Sequence, residues 1–289
     1  MGERRASALR QWSAAGLLTL PLRRREFFLW IFAILAASVL LRVRAPAGTP
    51  LVDAVLQSLA SRSAFQYLAW AGAFWLLANS KPTPLASRAD IAIGAGLSLL
   101  PFIQADSLSW ISITALALYL LVTSPQENNT RAAAFVMLAL AFNGLWGPQF
   151  FEFFAFPLLR ADTAIVGAVL ALTQPGFEWR DTIIQSQAHS IIVFGPCSSF
   201  HNISLSLLCW VTLTKLARPT WFRGDVLVAL LVTVAVVVLN TVRLYLMALS
   251  PELFTYWHTG FGADLFAWST PLVVMAISLW GILRKVQPA

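Results

Sequence analysis

The sequence predicts an all-α integral membrane protein of about eight transmembrane helices, with a short extracytoplasmic hairpin late in the chain. Three observations predict it. Hydrophobic residues fill 58% of the 289 positions and charged residues only 11%, far below the roughly 25% charged of an ordinary soluble domain. The apolar residues gather into runs of helix length, and the basic residues gather between alternate runs. Fifteen Gly, 15 Pro and 2 Cys, with no internal repeat, exclude collagenous, disordered and disulfide-stapled architectures. A net charge of +7 raises nucleic-acid binding only until its distribution is read.

Residues 1–26 are basic, with a weakly apolar stretch at 17–22 followed by Arg23, Arg24 and Arg25. The stretch is too short for a signal peptide core, so this segment reads as a cytoplasmic arm lying against anionic lipid. A spanning helix requires roughly 17–25 mostly apolar residues. Candidate spans cover 27–41, 64–79, 91–103, 107–123 and 132–147, then 200–216, 226–243 and 265–283. The first and third are short and borrow flanking residues. Gly94 and Gly96 weaken the third as an isolated helix but permit close packing of its neighbours. The organisation is therefore an arm (1–26), a five-helix membrane part (27–147) and a C-terminal membrane part (148–289).

With the N-terminus in the cytoplasm, eight crossings return the C-terminus there. The cytoplasmic segments then hold 14 basic residues against five acids, a net of +9. The outer segments hold six basic residues and eight acids, a net of −2. This asymmetry fixes the orientation without a nucleic-acid partner. Residues 148–199 do not fit simple counting, because they carry Glu152, Arg160, Asp162, Glu178, Arg180 and Asp181 around a short apolar patch at 164–172. The patch reads as a helix in the outer interface. After Pro175-Gly176, the β-branched stretches Thr182-Ile183-Ile184 and Ser190-Ile191-Ile192-Val193 predict an outer hairpin leading into Gly195-Pro196-Cys197.

Ionisable groups beside apolar helices are costly, which makes them site candidates. The topology brings three to one face: Cys197 before the sixth span, Arg243 at the outer end of the seventh, and His258 in the loop before the eighth. Asn240 lies three residues before Arg243 and shares its helix face. Thiol, imidazole and guanidinium together point to cysteine nucleophilic catalysis. Nearby positive charge lowers a thiol's pKa. An imidazole moves the proton between thiol and leaving amine, and a guanidinium stabilises a thiolate or an oxyanion. His201, one turn beyond Cys197, and His189, on the hairpin, are alternative bases. Cys209 lies twelve residues further along the helix and reads as a packing residue. Cys197, His201 and Glu152 match no established zinc spacing, and neither a Gly-x-Ser-x-Gly elbow nor a Walker loop is present. No metal and no cofactor is expected.

At these residues the sequence resembles the exosortase/archaeosortase family of polytopic membrane cysteine enzymes. The family pattern is a Cys-Ser-Gly opening one helix, an Asn-x-x-Arg near the end of the next, and a His-x-x-x-Gly before the last. Here these read Cys197-Ser198-Ser199, Asn240-Thr241-Val242-Arg243 and His258-Thr259-Gly260-Phe261-Gly262. The resemblance covers roughly 145–283, and Ser199 departs from it. It implies Cys197 as nucleophile, Arg243 as transition-state stabiliser and His258 as acid/base, with Asn240 and Ser198 supporting them. It further implies substrates that are exported, membrane-anchored proteins with a C-terminal tail: a Pro-Glu-Pro-like motif, a transmembrane helix and a basic cluster. The implied location is a bacterial inner membrane, with the site at the extracytoplasmic face. The competing reading is a non-catalytic membrane protein, such as a transporter or a polysaccharide-export subunit. A transporter places its polar site near the midplane of repeated halves, and no such repeat is visible.

Overall fold

The computed structural model describes residues 22–42, 50–60, 62–81, 84–103, 105–125, 128–187 and 189–284. Most of the expected cytoplasmic arm lies outside the described residues. Helix α1 (Arg24–Leu40), the short α2 (Leu51–Ala60) and α3 (Ala64–Ala78) open the fold. Helices α4 (Arg88–Leu99), α5 (Asp106–Thr123) and α6 (Asn129–Ala141) follow. Buried Phe32, Leu35, Trp70, Leu76, Leu116 and Met137 join α1, α3, α5 and α6 in one apolar core. Asp90 on α4 ties the ends together, accepting from Arg24 Nε at 2.9 Å and from the Tyr119 hydroxyl at 2.8 Å. Gly94 is the close-packing position the sequence expected, because a Cβ there would fall 2.5 Å from the Phe27 ring. Gly96 instead faces open space.

Helix α6 does not stop where the fifth span was expected to end. It passes through a π-turn, Phe142–Trp146, into α7 (Gly147–Thr173), so that Asn129–Thr173 forms one 45-residue helix. The expected interfacial helix is therefore only the end of a much longer one. Pro157 lies inside α7, and the non-helical residue is Phe154, about one turn earlier, where the proline ring crowds the backbone. The kink lets the helix continue past a residue that reads as a breaker.

Three short antiparallel strands follow, β1 (Glu178–Arg180), β2 (Ile183–Gln185) and β3 (Ser190–Ile192), paired in that order. The expected hairpin is β2 and β3, and β1 adds an edge. Asp181 turns between β1 and β2 at φ 54, a left-handed conformation that aspartate tolerates. Trp179 seats its ring over Gly167 of α7, where an added Cβ would meet it at 2.3 Å. Ile184, Ile191 and Val193 turn inward onto Val166, Leu170, Leu244 and Met247.

The last helices are α8 (Ser199–Ala217), α9 (Arg223–Leu249), the short α10 (Pro251–His258) and α11 (Phe261–Leu283). Helix α9 extends six residues beyond the expected span end, so Arg243 lies within it and not at its terminus. Leu208 on α8 packs in the first core while Cys209 packs with Val232, Val236 and Val274 of α9 and α11. Helix α8 thus joins the two halves. Three helices among the described residues are long and apolar enough to cross a membrane: Asn129–Thr173, Arg223–Leu249 and Phe261–Leu283. Ala64–Ala78 and Ser107–Thr123 are shorter apolar helices.

Candidate active site

Cys197 ends a 3-10 turn, Gly195–Cys197, between β3 and α8. Extended Phe194 delivers the chain, and the turn closes through Cys197 N donating to Phe194 O at 2.8 Å. Ser198 caps α8: its hydroxyl accepts from Phe200 N at 3.2 Å, the ordinary role of a serine at that position. Its proton goes to Asp162 Oδ2 at 3.1 Å, and Ser199 N donates to the same oxygen at 2.9 Å. One carboxylate from α7 thus holds both residues that follow the cysteine. Placed against a helix N-terminus, it also meets the positive end of the α8 dipole.

Asn240 from α9 completes the clamp. Its Nδ2 donates to Cys197 O at 2.9 Å and to Ser199 Oγ at 3.0 Å. Asn240 is wholly buried, so these bonds form away from competing water. Ser199 is more than a departure from the glycine pattern, because its hydroxyl is one of the two acceptors that fix Asn240. One turn on, Arg243 Nε donates to Trp257 O at 3.1 Å, and its guanidinium lies over the Phe266 ring at 4.8 Å.

His258 is the last residue of α10, not a loop residue. Its ring stacks on Phe254 with centroids 4.9 Å apart and meets the Phe194 edge at 6.4 Å. Its Nδ1 is buried without a hydrogen-bond partner. Among the described residues no hydrogen bond joins His258 to Cys197. The connection runs through Trp257, the neighbour of His258 and the acceptor for Arg243, and through Phe194 at the start of the cysteine turn. Catalytic hydrogen bonds are often long before substrate binds.

Cys197 is only 3% exposed. Burial pushes its thiol above the ordinary value. A backbone hydrogen bond at Phe194 and the Arg243 charge pull it back down, while Asp162 pushes it further up. The sequence expectation that nearby positive charge lowers this thiol is therefore not met overall, because desolvation outweighs the guanidinium.

The alternative bases sit elsewhere. His189 makes its contact with Met247 O at 3.2 Å and lies edge-on to Phe254. His201 is exposed and lines a cavity together with Gly195 and Pro196. Glu152 is exposed on α7, and no group of three or more His, Cys, Asp or Glu side chains converges among the described residues. The residue missed from sequence is Asp162. Its signal was present, since Asp162, Val166 and Leu170 recur every fourth residue and are all buried, placing an acid on the inward stripe of a helix.

The sequence model of the transmembrane exosortase family matches residues 28–275. The chain belongs to the transmembrane exosortase family. This match reaches well beyond the three motifs and takes in the first five helices, which the motifs alone leave as hydrophobic segments. No curated protein and no solved structure matches this exosortase.

Proposed function

We propose that this exosortase is a membrane-embedded cysteine protease/transpeptidase that cleaves the C-terminal sorting tails of exported proteins. Eight spans, α1, α3 to α6, α8, α9 and α11, cross a bacterial inner membrane with both termini cytoplasmic and Cys197 at the outer face. The observation that carries the reading is the Asn240 amide, bonded at once to the Cys197 carbonyl and to Ser199. It locks the first two motifs together, and Arg243 on the same helix reaches the backbone beside His258.

In the reaction, the Cys197 sulfur attacks the scissile carbonyl and its proton passes to the His258 imidazole. The raised thiol makes this base necessary, because the free enzyme holds sulfur mainly protonated near neutral pH. Arg243 stabilises the negative charge that develops on sulfur and then on the carbonyl oxygen. Collapse breaks the carbon–nitrogen bond, the leaving amine takes the proton from His258, and a thioester remains on Cys197. Water or an acceptor amine then attacks the thioester and restores the thiol. A tail made of motif, helix and basic cluster fits this layout. Its basic end stays in the cytoplasm, its helix lies beside the enzyme, and its motif rests at the depth of Cys197.

The test is tail processing in a host that co-expresses a tagged, tailed protein. Cys197→Ala should abolish the mature form while Cys209→Ala preserves it. Processing by Cys197→Ala at the wild-type level would overturn the proposal.

A further inference from the structure

A cavity of about 480 Å3 opens beside the cysteine turn, between the π-turn, the start of α7 and the start of α8. Its size falls within the range of ligand sites. Gly195 and Pro196 form its edge next to the nucleophile, and Phe151 and Phe200 form an apolar wall, stacked at 5.8 Å. Three polar side chains face it, Asn143, His201 and Ser204. None of them has a part in the reaction steps above.

A directed chain of hydrogen bonds decides what Ser204 offers. Ser63 N caps onto Gln66 Oε1 at 3.1 Å, which fixes the orientation of the Gln66 amide. Gln66 Nε2 then donates to Asn143 Oδ1 at 2.8 Å, and Asn143 Nδ2 donates to Ser204 Oγ at 3.1 Å. Each amide is used in one sense only, so the Ser204 oxygen is an acceptor and its proton remains to be given. Among the described residues that proton has no acceptor, although Ser204 is only 5% exposed. The His201 ring also has no hydrogen-bond partner there. A buried donor without a partner is costly. This one sits in a cavity opened by a π-turn, a feature that often marks functional sites. A lipid chain would suit the phenylalanines but would leave the hydroxyl unsatisfied.

We propose that this cleft binds the extended peptide on the tail side of the scissile bond, with the Ser204 hydroxyl donating to a substrate backbone carbonyl. His201 hydrogen-bonds the same strand nearer the surface, and Phe151 and Phe200 hold its apolar side chains. The direction rests on the proposed function. Ser204 lies five residues past the first residue of α8, about 7–8 Å deeper along the helix, where an anchored tail must continue after its motif.

The probe is a tagged protein from the same genome that ends in a short motif, an apolar helix and a basic cluster. With purified enzyme in nanodiscs, Ser204→Ala should raise KM about tenfold and change kcat less than twofold. Ser204→Thr, which keeps the hydroxyl, should return KM to within threefold of wild type. Separately, p-benzoylphenylalanine at position 151 in the Cys197→Ala enzyme should crosslink to residues just after the motif. An unchanged KM in Ser204→Ala, or adducts with phospholipid alone, overturns the cleft assignment. Processing by Cys197→Ala itself would instead remove the functional proposal beneath it.

Discussion

The carboxylate of Asp162 should control both the stability and the reactivity of the cysteine turn, and the two should move in opposite directions. Asp162 Oδ2 accepts from Ser198 Oγ at 3.1 Å and from Ser199 N at 2.9 Å. Hydrogen bonds to charged groups contribute about 1.5–3 kcal/mol each. Asp162→Ala loses both but also removes a buried charge, while the Ser199 amide is left without a partner. The net cost is about 2–4 kcal/mol, on the order of 5–10 °C in Tm for a chain of this size. Asp162→Asn keeps an oxygen for the Ser199 amide and loses mainly the charge at the helix N-terminus, at a cost of about 1 kcal/mol. Removing the negative charge lowers the Cys197 thiol toward its ordinary value, because Asp162 is one of the groups raising it. Alkylation of Cys197 at fixed pH should therefore accelerate in Asp162→Asn, measured in a Cys209→Ala background. Tm is read by intrinsic fluorescence from the 12 Trp. An Asp162→Ala protein that melts like wild type, or an Asp162→Asn protein whose thiol reacts more slowly, would refute the reasoning.

Three more outcomes follow from the same geometry. The rate of maleimide reaction at Cys197 should climb with pH to a midpoint above the usual thiol value of about 8.5, and Arg243→Ala should move that midpoint higher by removing a charge that pulls it down; a midpoint below 8 in the wild type would contradict this. Arg243→Lys keeps the charge but loses the planar group that bonds Trp257 O and lies over Phe266. Pulse-chase processing should slow on the order of 100-fold, and a change under twofold would deny Arg243 its role. Ser199→Gly restores the family glycine and removes one Asn240 acceptor. Melting should fall by roughly 1–2 kcal/mol worth of stability, with processing kept within about threefold.

The sequence is legible wherever hydrophobicity is continuous or alternating. Helices α3, α5 and α11 lie within a few residues of their expected positions, and the alternation at 182–193 marks β2 and β3. Strand β1 is not legible, because all three of its residues are exposed and its place depends on Trp179 finding Gly167. The length of α7 is hidden for a different reason. Glu152, Pro157, Arg160 and Asp162 interrupt the apolar pattern, yet the backbone absorbs the proline at Phe154 and gives Asp162 a buried partner. In the site, Cys197 and His258 lie at the ends of their elements and Asn240 and Arg243 one turn apart within α9, and all four carry chemistry that stands out against sparse charges. Asp162 has the same chemistry but sits among loop-like neighbours. The raised thiol is also invisible in sequence, since it depends on how deeply the turn is packed.

The supporting bonds have one property in common that bears on mechanism. Asn240 holds the Cys197 carbonyl, Asp162 holds the next two residues, and Arg243 holds the Trp257 carbonyl. None of these side chains bonds the sulfur. The turn is thus fixed in place with the sulfur left unbonded by these side chains, and under the proposed function this settles the position of Cys197 before a substrate binds, as preorganised catalysis requires. A packing cysteine has no need of such a frame. Cys209, in the helix that follows the turn, shows the contrast: it is wholly buried among valines, and among the described residues no polar side chain is bonded to its backbone. A transporter reading also requires polar groups partway along the spans. Here Asn240 and Arg243, though within α9, bond to the turn before α8 and to Trp257 of α10, and in the proposed orientation these groups lie toward the outer ends of the spans.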